Sequence, residues 1–385
     1  MERDEAMSFM IKLLKLMTKE GGSDLFITAG FPPAMKNKGK MTPMTKKPLT
    51  PSDSMALTQC IMNDKQLKEY EETKECNFAI HPPGLSRFRV NAFIQQGCQG
   101  VIMRIIAAEV PDFDKLGLPS VLKDVIMAKN GLIVMVGGTG SGKSTTMAAL
   151  IDYRNRSTYG HIITLEDPIE YVHPHKNCVI TQREVGVDTD SWEAALHNTL
   201  RQAPDVILLG EIRDAEIMNF GMEFAQTGHL AMGTLHANNA NQTIDRIVGF
   251  FKIEQQKKML ADLALNLKGI ISQRLVKTPS GGRAAAIEIL LNSPLVAELI
   301  AIGDVGGIKP IMTKSSDLGM QTFDQALFQL QQADRITYEE AIANSDSANE
   351  LRLKIKLEGK DAKGGLGPSD LKLMEKEEDK EGHGH

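Results

Sequence analysis

A chain of 385 residues exceeds what one ordinary hydrophobic core organises, so two domains with appendages are expected. Its 42% hydrophobic and 24% charged residues are the composition of a folded globular protein, and its longest apolar runs fall far short of a bilayer crossing. A net charge of -5 gives no bulk attraction to phosphate backbones or acidic lipid, which argues against a nucleic-acid partner.

Glu2, Arg3, Asp4 and Glu5 open the chain, and Lys12 and Lys15 break the apolar stretch behind them, so no secretory signal is read and a cytoplasmic location is expected. Residues 7–17 carry apolar side chains at helical spacing, and Gly21-Gly22 follows as a stop. Short β-rich runs come next, Asp24 to Thr28, Phe78 to Ile80, Arg87 to Phe93 and Gly100 to Ile106, with a helical stretch around Ser52 to Tyr70. This reads as a small α+β domain over residues 1–110. The turn-rich Val110-Pro-Asp-Phe-Asp and Leu116-Gly-Leu-Pro119 mark a linker, 111–119.

Beyond the linker the rhythm changes. Apolar strands ending in glycine or acid alternate with helices: Leu132 to Val136, Ile162 to Leu165, Val206 to Leu209 and His229 to Leu235. Buried parallel strands with helical crossovers fit this pattern, so residues 120–350 are expected to form an α/β sheet covered on both faces. The Lys/Glu/Gly-rich segment 351–385, ending in Gly-His-Gly-His, reads as a disordered tail with solvated histidines. Cys60, Cys76, Cys98 and Cys178 form no CxxC pair, so isolated thiols rather than a zinc site are expected.

The chemistry concentrates in the second domain. Gly137, Gly138, Thr139, Gly140, Ser141, Gly142, Lys143 and Ser144 match GxxxxGK[ST] in full, directly after an apolar strand and before the helix-forming run Thr145 to Leu150. Such a loop turns backbone N–H groups toward the phosphates of ATP, with Thr145 opening the helix behind them. Lys143 reaches the β/γ-phosphates and the Ser144 hydroxyl takes Mg²⁺. Val206-Ile-Leu-Leu-Gly210-Glu211 is an apolar strand with glycine where aspartate is usual, which leaves Glu211 to orient or deprotonate water; the bland reading is a strand-end acid capping the next helix. Glu166 and Asp167 end a third strand and can share metal and water positioning, while Glu170 reads as an outer or surface acid. His229 and His236 flank one strand and read as γ-phosphate or interface sensors, against the bland alternative of structural histidines.

In order, GGTGSGKS, ITLEDPIEY, LRQAPDVILLGEIRD and TGHLAMGTLHANNA resemble the Walker A, acidic-box, Walker B and histidine-box motifs of the secretion and type IV pilus ATPase superfamily. Gly-Gly-Ser-Asp-Leu-Phe-Ile at 21–27, Arg-Phe-Arg-Val at 87–90, Gln182-Arg-Glu-Val and Asp245-Arg-Ile-Val extend the likeness, which covers residues 7 to about 357. It is similar to the retraction branch, and Asn198-Thr-Leu-Arg-Gln-Ala-Pro-Asp with Asp346-Ser-Ala-Asn-Glu-Leu-Arg-Leu to its accessory, PilU-like members.

The resemblance implies a homohexameric ring of subunits, each with a PAS-like N-terminal domain and a RecA-like P-loop ATPase domain. It also implies a PilT-like retraction ATPase and an inner-membrane, PilC-like platform protein as partners. By the same token Arg87, Arg89 and Arg104 would turn toward the phosphates; without the resemblance, alternate strand residues bearing solvated cations explain Arg87 and Arg89 as well. The long extra N-terminal domain and tetracysteine module typical of assembly ATPases are missing, which favours retraction. One departure counts against independent force production: the helix at Pro294-Leu-Val-Ala-Glu-Leu-Ile-Ala-Ile lacks the basic residues of PilT-like motors.

Overall fold

The computed structural model describes residues 2–37, 39–106 and 110–359. The first helix, Arg3–Lys19, has Asp4 and Glu5 in its first turn, where the helix dipole favours negative charge. It buries Ala6, Met10, Leu13, Leu14 and Met17 along one face.

Six strands follow: β1 (Asp24–Ile27), β2 (Ala34–Asn37), β3 (Lys40–Pro43), β4 (Glu75–Ile80), β5 (Phe88–Gln95) and β6 (Cys98–Ile105). They form one antiparallel sheet in the order β3-β2-β1-β6-β5-β4. The stretch expected as one helix over Ser52 to Tyr70 is two, Pro51–Gln59 and Asp64–Thr73. Thr50 with Asp53 and Asn63 with Gln66 form capping boxes, so the second box restarts the chain where a continuous helix was read. The sequence reading had no strand at β2 or β3; β3 is exposed at all four positions and carries no apolar alternation to reveal it.

The second sheet is built from β7 (Gly131–Val136), β8 (Gly160–Glu166), β9 (Cys178–Glu184), β10 (Val206–Leu209), β11 (Leu230–Leu235), β12 (Leu267–Lys277) and β13 (Arg283–Leu291). Its order is β13-β12-β7-β11-β10-β8-β9, parallel throughout except for the antiparallel β12–β13 pair. β7 is buried at every position. Leu132, Val134 and Val136 enter the core on one face, beside Trp192, Ile217 and Phe224. Ile133 and Met135 enter the core on the other, beside Leu122, Met147 and Ile151. Both faces are therefore covered, as an all-parallel centre requires. Among the described residues no helix is long and apolar enough to cross a membrane.

Two features differ from the sequence reading. The segment 111–119 is docked: Phe113 is buried, with its ring 5.9 Å from that of Tyr153. The tail expected from 351 onward is helix as far as Glu358, in the element Ala348–Glu358. Its start is held because Asp324 Oδ1 accepts from the Asp346 N–H and Oδ2 from the Ser347 N–H, at 2.8 and 3.1 Å. Leu351 then enters a small core with Phe323 and Leu327. The remainder of the expected tail, with His383 and His385, lies outside the described residues. Leu351→Ala should destabilise the protein by about 2–5 kcal/mol, read as a lowered urea midpoint; an unchanged midpoint would return this helix to the tail.

Candidate nucleotide site

β7 runs into a glycine turn and the helix Lys143–Ser157 leaves it. Gly142 caps that helix with φ 87°, in the left-handed region that glycine adopts without penalty. A Cβ on Gly142 would lie 2.7 Å from Gln273 Nε2, and one on Gly137 only 2.5 Å from the Gln273 carbonyl. Gln273, on β12, braces the turn: its Nε2 donates to the Ser141 carbonyl and its Oε1 accepts from Thr146 Oγ1, each at 2.8 Å and buried. Lys143 Nζ donates to the carbonyls of Gly137 and Gly138, at 2.8 and 3.1 Å. Burial pulls its pKa down, while the charges of Glu211 and Glu170 push it up. The buried Ser141 Oγ makes no hydrogen bond. An unpartnered hydroxyl in a glycine turn at a helix N-terminus, with open space beside Gly138 and Gly140, fits a loop shaped around a phosphate.

A cleft of about 520 Å³ opens beside the turn, lined by Thr139 to Thr145 together with Glu166, Asp167, Glu170, Glu211 and His236. Gly137 and Gly138 instead line a neighbouring cleft of about 280 Å³, which His236 also borders. Glu211 and His236 face each other, with Oε1 3.3 Å from Nε2. The glycine before Glu211 has a steric reason: a Cβ on Gly210 would lie 3.0 Å from both Glu166 Cα and the Leu165 carbonyl. The side chain of the usual aspartate would crowd the backbone of β8.

Glu166 Oε1 accepts from Thr164 Oγ1 at 2.6 Å and from Gln182 Nε2 at 3.2 Å. Burial pushes its pKa up, and those two hydrogen bonds pull against it. Asp167 is exposed, 3.9 Å from Arg213. Glu170 is exposed too, although it borders the cleft. Ser144 sits in the first turn of the helix and lines the cleft, so its hydroxyl is the protein ligand that would hold Mg²⁺.

Two groups of expected site residues lie away from the clefts. His229 does not join the cleft; it precedes β11, whereas His236 follows it, so the strand's length separates the two rings. His229 Nδ1 lies 3.0 Å from Thr227 Oγ1, a structural contact. Nor do the three arginines line either cleft. Arg104 Nε donates to the buried Asp24 at 2.7 Å, directly across the β1–β6 pair. Arg89 sits opposite Arg104 on β5. Arg87 pairs with Glu184 and Asp188. The sequence reading gave no role to Tyr171, whose hydroxyl is 2.9 Å from Thr145 Oγ1, to Gln273, or to Arg283 at the cleft wall. Gln182 and Glu184 lay within a quoted motif, but no chemistry had been attached to them.

The model of the type II/IV secretion system protein family matches residues 13–297. The chain belongs to this family. Within the type II/IV secretion system proteins, the type IV pilus ATPase PilU of Pseudomonas aeruginosa is 54% identical over 347 residues, covering 90% of this chain and 91% of PilU. The type IV pilus retraction ATPase PilT of the same organism is 43% identical over 316 residues, covering 82% of this chain and 92% of PilT. The crystal structure of the pilus retraction motor PilT with bound ADP shares the fold with a TM-score of 0.82 and 41% identity, over 89% of this chain and 98% of that one. These relatives put the chain in the retraction-ATPase branch of the family, with an α/β, RecA-like catalytic domain.

The raised pKa of Glu166 has a signed consequence. The folded state holds this proton more tightly than the unfolded chain, so its stabilising effect is full below the ordinary carboxylate range and is lost as pH rises from that range through the raised folded-state value. Glu166→Gln, a mimic of the protonated acid, should raise the melting temperature more at pH 8 than at pH 4.5. Equal shifts at the two pH values would contradict the assignment.

Proposed function

We propose that this ATPase powers or assists the retraction of type IV pili, and with it twitching motility, together with a PilT-like motor. One observation carries the reading: the glycine cradle, the Glu211–His236 pair and the enclosed Glu166 meet at one sheet edge, in a chain that matches PilU over 90% of its length. Lys143 leaves the carbonyls of Gly137 and Gly138 for the β- and γ-phosphate oxygens, a short move because its half-buried ammonium already borders the cleft. Mg²⁺ held by Ser144 would offset charge on the same oxygens. Glu211 orients the attacking water and takes its proton, with His236 holding the carboxylate from the other side.

In this reading the chain forms a cytoplasmic homohexameric ring, docked on a PilC-like inner-membrane platform protein. The N-terminal sheet and its helices serve as a PAS-like module that moves against the catalytic domain as nucleotide is bound and hydrolysed. A second reading, a ring-forming accessory with little independent force production, is favoured by the helix Pro294–Ile302, in which Glu298 is the lone charged residue.

ATP hydrolysis by the purified protein, with assembly size recorded, tests both. Lys143→Ala and Glu211→Ala should each lower turnover about 100-fold or more, the scale for losing one group that stabilises transition-state charge or positions water. Wild-type turnover in Lys143→Ala would refute the site. Turnover that appears only when a PilT-like partner is added would select the accessory reading.

A further inference from the structure

Arg87 is anchored firmly in the N-terminal domain. Its carbonyl accepts from the Ile106 N–H at 2.8 Å, and the next residue, Phe88, is fully buried. Its guanidinium leaves that domain altogether. One terminal nitrogen lies 3.3 Å from Glu184 Oε2 and 3.3 Å from Asp188 Oδ2, both on the catalytic domain. The buried Nε of Arg87 makes no hydrogen bond.

Glu184 is unusual for a charged residue at a strand end, because its side chain is only 4% exposed. Burial pushes its pKa up, and Arg87 is the main charge pulling it back down. A buried carboxylate of this kind depends on its cation, since stripping one partner from such a pair is far more costly than losing an exposed one. The same Oε2 also accepts from the backbone N–H of Ile169, at 3.4 Å. Ile169 is buried in the middle of Glu166-Asp167-Pro168-Ile169-Glu170, whose other members all border the nucleotide cleft. Glu184 sits beside Glu166 in the parallel β8–β9 register. Two residues back on the same strand, Gln182 donates to Glu166 and to the Tyr171 carbonyl and accepts from the His173 N–H. β9 thus holds the acidic loop at several points, and one of those points is shared with the other domain.

We propose that Glu184 is the positioning residue through which the N-terminal domain acts on the acidic loop: its carboxylate joins Arg87 to the Ile169 amide, so movement of one domain alters the seat of Glu166 and Asp167. The inference deepens the ATPase reading and rests on it for its kinetic part. Withdrawal of Arg87 removes the main cation facing this buried carboxylate, leaving the weaker pull of Arg89 against the like charge of Asp188, and the carboxylate answers by taking a proton or by turning away from Ile169. Either response loosens the loop. Arg87 therefore works at a distance from the substrate, by way of Glu184.

The full-length protein is compared as wild type, Arg87→Ala, Arg87→Lys, Glu184→Gln and the Arg87→Ala/Glu184→Gln double variant. Hydrogen exchange is followed over 167–171 without nucleotide, and kcat is followed against pH. Exchange over 167–171 should rise about tenfold in Arg87→Ala and in Glu184→Gln, the scale for weakening one hydrogen bond to a charged group, with no further rise in the double variant. Arg87→Lys keeps the cation and should stay near wild type in exchange. Arg87→Ala should lower kcat about tenfold and move the acid limb of the profile to higher pH; in the Glu184→Gln background it should change neither. Unchanged exchange in Arg87→Ala would overturn the proposal. So would losses in kcat that multiply in the double variant, which would mean that Arg87 acts on the phosphates itself. If the wild type fails to hydrolyse ATP, the functional reading falls, while the exchange comparison still decides the coupling.

Discussion

Everything at the catalytic edge depends on one steric arrangement, the turn by which β7 becomes the helix Lys143–Ser157. β7 is buried along its whole length between β12 and β11, so its end cannot drift. Gly142 takes a backbone conformation that side chains rarely adopt, and Gln273 reaches from β12 to tie the Ser141 carbonyl to the Thr146 hydroxyl. The helix N-terminus is thereby fixed against the sheet, and its free N–H groups become an anion site. An acidic edge without that turn would only repel a triphosphate.

The parallel register does the gathering. Strands β8, β10, β11 and β7 are all hydrogen-bonded in the same sense, so residues that follow their carboxyl ends arrive at one rim although they lie far apart in the chain. Two carboxylates reach the rim in unlike settings. Glu166 is enclosed and fed by Thr164 and Gln182, whereas Glu211 is more open and faces an imidazole. Environments that separate two acids in this way also separate their tasks. The enclosed acid suits charge positioning, and the open one suits contact with water.

The N-terminal domain has its own core, in which Leu14, Phe88 and Met103 are fully buried, and it owes little of its fold to the catalytic sheet. Its proposed influence on chemistry is instead electrostatic, exerted where Arg87 meets a buried carboxylate. A contact that pairs one domain's cation with the other's buried charge is sensitive to small displacements, because the interaction grows as water leaves. The docked Phe113 and the Arg156–Asp112 ion pair keep the connecting segment close to the catalytic helix, which limits those displacements.

The sequence alone determined the catalytic loop, the four central strands and the carboxylates and histidine at their ends. These are local signals: GxxxxGKS needs only adjacent residues to state its chemistry, and a buried parallel strand declares itself as an unbroken apolar run. Strands β9, β12 and β13 escaped the reading, because polar residues such as Gln182, Gln273 and Glu288 interrupt their apolar runs. Only the tertiary structure decided that His229 stands at the far end of β11 from the cleft, that Gln273 braces the loop, and that Arg87 rests on Glu184. Each of those facts depends on strand length, sheet order or the meeting of two domains. Such contacts join residues distant in sequence, and no window along the chain contains both partners.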